Sequence, residues 1–172
     1  MRQAGILAGV GLIFAYLLGL LPAVGWIFSF LGVILFLVGV YRISRIANDE
    51  RIFRYFLLPM ILSFVALVVA FFGLMGAALS ALALDVFALG ASFVVLLIVV
   101  LILLIVSLVS YVKAYRLLAE VTGVSIFNTV ATLYKWSAIL LVVFGIGAIL
   151  MIVGSIIAVV GFFSIEEKTS SA

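Results

Sequence analysis

The chain has 172 residues, of which 70% are hydrophobic and only 9% are charged, and its formal net charge is +3. A soluble domain of this size carries about 25% charged residues, so the composition excludes an ordinary water-soluble fold. The absence of cysteine and histidine excludes disulfides, thiolate chemistry and the common zinc ligands. We therefore expect an integral membrane protein without metal or cofactor, in which lipid replaces water as the solvent.

Long uncharged runs separate the charged residues and predict the membrane-spanning segments. The runs cover residues 3–41, 55–84, 86–112 and 136–165. A helix needs about 20 residues to cross a bilayer, so each run is long enough for at least one span. The strands of a membrane β-barrel would alternate polar and apolar residues, whereas residues 94–106 are apolar throughout. The pattern predicts an all-α, polytopic transmembrane helical bundle.

Breaks within the longest runs predict six helices rather than four. Pro22 and Gly25 interrupt the first run, because proline lacks an amide hydrogen and glycine relaxes the backbone. Gly145 and Gly147 interrupt the last run, although a single long tilted helix, giving five in total, stays an alternative there. The predicted helices are, in chain order, 4–20, 24–46, 50–79, 90–121, 126–144 and 147–163.

These helices pair as three hairpins, at about 4–46, 50–121 and 125–163, in one membrane domain covering residues 1–172. A short polar tail, 164–172, follows the last hairpin. A short internal repeat supports six helices, since two dipeptides recur with the same interval. The pairs are Tyr41-Arg42 with Ile52-Phe53, and Tyr115-Arg116 with Ile126-Phe127.

The connections between helices predict particular turns and caps. Residues 80–90, which include Asp85, are expected to form an outer loop, with an intramembrane carboxylate as the alternative for Asp85. Asn48 is expected to cap helix 3. Thr122 and Gly123 predict the end of helix 4.

The basic residues predict the orientation of the chain. Lysine and arginine favour the cytoplasmic side of a membrane, and the six-helix threading places all nine basic residues on one side. Both termini are therefore expected in the cytoplasm, in a multi-pass protein of the plasma membrane. The residues predicted to contact headgroups of the inner leaflet are Arg42, Arg45, Arg51, Arg54, Lys113, Arg116 and Lys135.

Lys135 lies inside predicted helix 5, two to three turns from its start. We expect its side chain to reach the inner interface beside Tyr134 and Trp136. A buried functional lysine is the alternative, and it would require a carboxylate partner, for which Glu120 is the near candidate in sequence.

Two sets of glycines repeat every seven residues and predict helix-packing faces. Small residues allow membrane helices to approach closely, and a spacing of seven keeps them near one face. The predicted packing glycines are Gly25, Gly32 and Gly39 in helix 2, and Gly147, Gly154 and Gly161 in helix 6.

The sequence predicts a non-enzymatic protein. It offers no histidine base, no cysteine nucleophile and no phosphate loop. A packing or interaction module in the membrane is favoured, with the bilayer and either a second copy or a membrane-protein partner as its contacts. A small-solute or ion transporter or channel subunit is the alternative. Nucleic acid is not an expected partner, because little soluble surface is available.

Three segments carry a resemblance to a known family. They are YRISRIANDERIFRYF at 41–56, AYRLLAEVTGVSIFN at 114–128 and GFFSI at 161–165. The chain resembles a family of small, mostly archaeal integral membrane proteins of unknown function. The resemblance implies an α-helical protein of a prokaryotic plasma membrane, and it implies no activity, substrate or catalytic residue.

Overall fold

The computed structural model describes residues 1–16, 18, 21–22, 24–83, 86–144 and 147–165. In this part of the chain the regular elements are six helices and no strands, so the predicted all-α class is confirmed. The helices are α1 (Arg2–Tyr16), α2 (Gly25–Ile46), α3 (Glu50–Leu82), α4 (Val86–Thr122), α5 (Ile126–Phe144) and α6 (Gly147–Phe163).

The last apolar run forms two helices, as the six-helix prediction required. The bounds of α5 and α6 match the predicted 126–144 and 147–163. Residues 145 and 146, between them, lie outside the described residues. The last turn predicted for helix 1, at 17–20, lies mostly outside them as well.

The predicted outer loop at 80–90 is wrong in its extent. Helix α3 continues to Leu82 and α4 begins at Val86, so Ser80 and Gly90 are both helical. The Ser80 hydroxyl donates to the Gly76 carbonyl at 3.1 Å, which satisfies this side chain within its own helix. Alanine and leucine at 77–82 favour helix over loop. Asp85, on which the loop and carboxylate interpretations depended, lies outside the described residues.

The start of α3 corrects a second prediction. Its cap is Asp49, whose carboxylate accepts a hydrogen bond from the Arg51 amide at 2.9 Å. Asn48 instead takes a positive φ of 54°, a conformation that asparagine tolerates better than most residues. The end of α4 is as predicted: Gly123 has a φ of 73°, and its amide donates to the Ala119 carbonyl at 2.9 Å.

The six helices form a closed ring in chain order. Each helix contacts its neighbours in sequence, and α1 also contacts α6. Because consecutive helices run in opposite directions, the starts of α1, α3 and α5 lie at the same end as the ends of α2, α4 and α6. We call this the basic end, for the charged residues described below.

Aromatic side chains fill the centre of the ring. Phe36, Phe56, Tyr115, Phe127 and Phe162 come from five different helices, and each is at most 2% exposed. Their rings form a closed cycle of contacts with centroid separations of 5.4, 5.1, 6.2, 5.1 and 5.8 Å in that order. Such ring pairs add about 0.5–1.5 kcal/mol beyond burial, so this aromatic layer ties α2 to α6 across the bundle.

The two central helices are much longer than the others. Helices α3 and α4 have 33 and 37 residues, against 15 to 22 for the other four. Within the described parts of 61–106, only Ala77 is buried. We call residues 61–83 and 86–106 the projecting hairpin, because its two helices pack on each other and almost none of its residues is buried.

Three helices meet the length and hydropathy required to cross a membrane. These are α2, α3 and α4, whereas α1 and the described apolar stretches of α5 and α6 are shorter. Large side chains of the projecting hairpin are exposed, including Phe64 at 67% and Phe87 at 87%. Exposed apolar surface of this extent is typical of lipid-facing helices, so the fold indicates a membrane location.

The two copies of the internal repeat lie in different environments. Tyr41 is 42% exposed, whereas its counterpart Tyr115 is 2% exposed in the aromatic layer. The two copies therefore share a position along the chain and near helix ends, but they do not share a packing role.

Candidate functional site

The basic end gathers the charged side chains predicted to contact lipid headgroups. All seven are exposed, and they lie within about 14 Å of the ends of their helices at 1.5 Å per residue. They are Arg42 and Arg45 in α2, Arg51 and Arg54 in α3, Lys113 and Arg116 in α4, and Lys135 in α5. Their contact with headgroups stays a prediction.

Two of these cations have partners among the described residues. The Arg51 guanidinium forms an ion pair with Asp49 at 2.7 Å. The Arg45 Nε donates to the Tyr41 hydroxyl at 2.9 Å, with its guanidinium 5.4 Å from the ring centroid. Among the described residues, the other five side chains have no ion pair or hydrogen bond.

Lys135 is one of the five cations without an ion pair or hydrogen bond among the described residues. Its side chain is exposed, and within the described part of the chain it forms no ion pair with Glu120. Its neighbours differ from each other: Trp136 is 53% exposed, whereas Tyr134 is 3% exposed. Tyr134 therefore points into the bundle, and the expectation that it would accompany Lys135 to the interface is wrong.

A pocket of about 370 Å³ lies between α1 and α2 at the basic end. Met1, Tyr41, Arg42 and Arg45 contribute to its lining. Two arginines in the lining of one pocket favour a phosphate or carboxylate over a neutral ligand. The pocket thus gives the basic end a place where an anionic headgroup would fit.

The Asp49 cap of α3 is expected to make the free energy of unfolding depend on pH in the acid range. The hydrogen bond from Arg51 lowers the pKa of Asp49 below its ordinary value of 3.8. A lowered folded-state pKa stabilises the protein fully above the ordinary value, and this stabilisation is lost as the pH falls through the lower one. Asp49→Asn keeps a cap without the charge. As the pH falls below about 3.8, the wild type should therefore lose stability relative to this variant, and the two unfolding free energies should approach each other. Parallel pH profiles of the two proteins in detergent would contradict this.

The repeating glycines lie at helix contacts. A Cβ on Gly32 would lie 2.6 Å from the Gly11 carbonyl oxygen, and one on Gly39 would lie 2.5 Å from the Ala8 nitrogen. The α2 set therefore faces α1. In α6, a Cβ on Gly154 or Gly161 would meet the rings of Tyr134 and Phe127 at 2.8 Å.

The remaining two members of the sets are also buried. The Gly147 carbonyl accepts a hydrogen bond from the Ser137 hydroxyl at 2.6 Å, which joins α5 to α6. Gly25 is buried at the start of α2. These glycines lie where close packing requires them, and their energetic contribution stays a prediction.

Two glycines of α1 lie where this helix contacts α6. A Cβ on Gly5 would lie 2.6 Å from the Phe162 carbonyl oxygen, and one on Gly9 would meet the Phe163 ring at 3.0 Å. The G-x-x-x-G spacing of Gly5 and Gly9 is the signal that predicts such a face. This contact closes the ring of helices.

A cavity of about 220 Å³ lies next to the aromatic layer, on the side away from the basic end. Phe36 and Tyr115 belong to both. Moving along α2, α3 and α4 away from the basic end, the next residues on the same faces also line the cavity. These are Val33, Ser29, Met60 and Tyr111, joined by Leu12, Ala15, Tyr16 and Tyr134.

The tyrosines of this cavity differ in how their hydroxyls are satisfied. The hydroxyls of Tyr134 and Ser155 lie 2.9 Å apart. Ser155 donates its own hydrogen to the Met151 carbonyl, so Tyr134 is the donor in this pair. Tyr111 has no hydrogen-bond partner among the described residues. Its ring is fixed by Tyr115 and Tyr134, with centroids 6.4 and 5.5 Å away.

Sequence reasoning missed this cluster because tyrosine in a membrane helix usually marks an interface. The signal that was present is the spacing of Tyr111 and Tyr115. Residues four apart lie on one helix face, so both hydroxyls had to point to the same side of α4.

The fold and the two regions define a class: a helical protein with three helices able to cross a membrane, in which the charged side chains of the described residues lie at one end. Residues 28–156 match the family model described as a protein of unknown function, DUF996. The chain is 32% identical over 178 aligned residues to the uncharacterized protein MJ1644 of Methanocaldococcus jannaschii, covering 99% of this chain and 96% of that protein. The chain belongs to the DUF996 family.

The comparison with solved structures found no match. The expected resemblance to a family of unknown function, with an archaeal relative, is confirmed by these findings. Neither name assigns the family to a membrane, so the membrane location rests on the helices themselves.

Proposed function

We propose that this protein is a multi-pass protein of a prokaryotic plasma membrane that acts, without catalysis, as a packing or interaction module. Both termini lie in the cytoplasm, and residues 1–172 form one membrane domain. The single observation that carries the proposal is the confinement of charge. Every charged residue of the described chain lies within about 14 Å of the basic end.

The lengths of α3 and α4 support a chain that crosses the membrane with the basic end at one surface. Beyond the basic end, the uncharged part of α3 runs from Tyr55 to Leu82, or about 42 Å, and that of α4 is about 40 Å. The hydrocarbon core is about 30 Å thick, so both helices can cross it with some tilt. The charged end then belongs to the cytoplasmic leaflet, because lysine and arginine favour that side.

The inner arginines and lysines anchor the protein by binding anionic headgroups. Each basic residue near an anionic surface contributes about 1 kcal/mol of attraction. The proposed contacts are the five cations that have no partner among the described residues, together with the pocket that Arg42 and Arg45 line.

The polar groups of the described helices favour a module over a transporter. The hydroxyls of Ser63 and Ser110 donate to carbonyls of their own helices at 2.8 and 2.9 Å, so neither of these two hydroxyl hydrogens is free for a solute. The aromatic layer fills the centre of the bundle, so a continuous polar path would have to avoid it. The projecting hairpin offers apolar surface to lipid, to a second copy or to a membrane-protein partner.

The proposed orientation predicts opposite labelling of two connections. The chain has no cysteine, so single-cysteine variants need no background removal. Ala83→Cys lies in the connection after α3 and Ser125→Cys in the connection before α5, and both residues are exposed. With a membrane-impermeant maleimide, intact cells should label Ala83→Cys only, and broken cells should label both. Labelling of Ser125→Cys alone in intact cells would reverse the orientation and overturn the proposal.

A further inference from the structure

We propose that the tyrosine-lined cavity is a binding site for a neutral, mainly apolar small molecule that carries a hydrogen-bond-accepting oxygen. The inference concerns the interior of the bundle and goes beyond the proposed packing role, whose orientation it does not require. It rests on the closure of the cavity, the composition of its wall and the state of the Tyr111 hydroxyl.

The aromatic layer closes the cavity towards the basic end. Phe36 and Tyr115 are each 2% exposed and form part of both the layer and the cavity wall. The cavity is therefore a pocket with a floor and not a segment of a channel. Tyr16, which is 54% exposed, lies at its other side and marks the route of entry from the membrane.

The wall carries no charged side chain among the described residues, which favours a neutral ligand. Leu12, Val33, Phe36 and Met60 supply apolar surface. An empty cavity of about 150 Å³ in another protein binds benzene, so about 220 Å³ admits a molecule of roughly ten non-hydrogen atoms. A single substituted ring has this size.

The hydrogen bonds of the hydroxyls that line the cavity determine which polar group a bound molecule needs. Ser29 donates to the Ala15 carbonyl at 3.2 Å, and Tyr134 donates to Ser155. Tyr111 and Tyr16 line the cavity as donors without a hydrogen-bond partner among the described residues, and Tyr111 is the more buried of the two. A donor away from water gains by pairing, so the ligand is expected to present an acceptor such as a carbonyl oxygen.

Methionine methyl groups provide a direct test on the intact protein in detergent micelles. Met60 lines the cavity, whereas Met75 is 53% exposed on the projecting hairpin and reports only partition of a probe into the micelle. The probes are acetophenone, an aromatic ketone, and ethylbenzene, which has a similar shape but no acceptor. We expect acetophenone to shift the ¹³C-labelled Met60 methyl resonance saturably and the Met75 resonance only in proportion to concentration.

The acceptor part of the proposal predicts a loss of affinity on removing either partner. Ethylbenzene should bind the wild type roughly three- to tenfold more weakly than acetophenone, and Tyr111→Phe should bind the two probes equally. The control Tyr55→Phe removes a hydroxyl that does not line the cavity and should bind both probes as the wild type does. Val33→Phe, which fills the cavity, should abolish the saturable shift.

Two results would overturn the inference. If Met60 shifts in proportion to concentration, as Met75 does, the cavity holds only water or closes, and no small-molecule site exists. If the wild type binds both probes equally, the occupant is purely apolar, such as a lipid tail, and the role of Tyr111 is wrong. Neither result depends on which leaflet the basic end faces, so failure here is distinct from failure of the proposed orientation.

Discussion

Replacing Phe56 by alanine is expected to lower the free energy of unfolding by about 2–3 kcal/mol. Phe56 is 0% exposed and is the only residue of α3 in the aromatic layer. Its ring contacts Phe36, Tyr111 and Tyr115, with centroid separations of 5.4, 6.3 and 5.1 Å. The substitution therefore opens a hole where α2, α3 and α4 meet.

The expected size of this loss depends on which parts of the free energy of unfolding remain in a membrane. In water, such a substitution loses both transfer energy and packing, at about 3–5 kcal/mol. In a bilayer the transfer part largely cancels, because lipid tails are as apolar as the protein interior. The cavity part remains, at about 24 cal/mol per Å³ over roughly 100 Å³ of lost side chain.

Phe64→Ala is the matched control, because it removes the same side chain from the same helix. Phe64 is 67% exposed on the projecting hairpin, where lipid or detergent replaces the lost ring. It should change stability by less than about 0.5 kcal/mol. Reversible unfolding in mixed micelles, followed by circular dichroism, compares the two. Equal losses for both variants would mean that the aromatic layer contributes no more than the lipid-facing surface.

Replacing Gly32 by alanine is expected to cost about 1–3 kcal/mol, which is the usual penalty for an overpacked contact. The added Cβ would lie 2.6 Å from the Gly11 carbonyl oxygen and 2.8 Å from the Ala15 Cα. These are backbone or backbone-attached atoms of α1, so no side chain can rotate away. Helices α1 and α2 would have to separate along their contact.

Gly76→Ala in α3 controls for the change of residue type, since no atom lies within 4 Å of a Cβ built there. Alanine favours helix over glycine by up to about 1 kcal/mol, so this variant should be neutral or slightly more stable. The same unfolding measurement applies to both variants. A stable Gly32→Ala protein, no weaker than Gly76→Ala, would contradict the close packing of α1 on α2.

The first of these predictions required the tertiary structure, whereas the second was partly visible in the sequence. The spacing of Gly25, Gly32 and Gly39 indicated a packing face on α2, but it did not say which helix would cover it. The contact with α1 came from the fold. No sequence pattern distinguishes Phe56 from the rest of the 15 phenylalanines of the chain. Its position in the aromatic layer came from the fold.

Local chemistry explains where prediction from sequence failed at the helix ends. Both Asn48 and Asp49 are good capping residues, and the choice depended on which of them took the positive φ. The small residues of segment 80–90 and Asp85 predicted a loop there. It is mostly helical because small residues are compatible with helices that face lipid.

The amino-acid sequence is enough to predict a helical chain, most of its helix breaks and the helix ends that carry charge. Those features depend on hydropathy, glycine, proline and charge, which act locally. The contact of α1 with α6, the meeting of five rings in one layer and the position of Tyr111 at a cavity came from the tertiary structure. They could not be predicted because these helices are apolar on all sides. Periodicity therefore cannot distinguish a side chain that faces lipid from one that faces another helix.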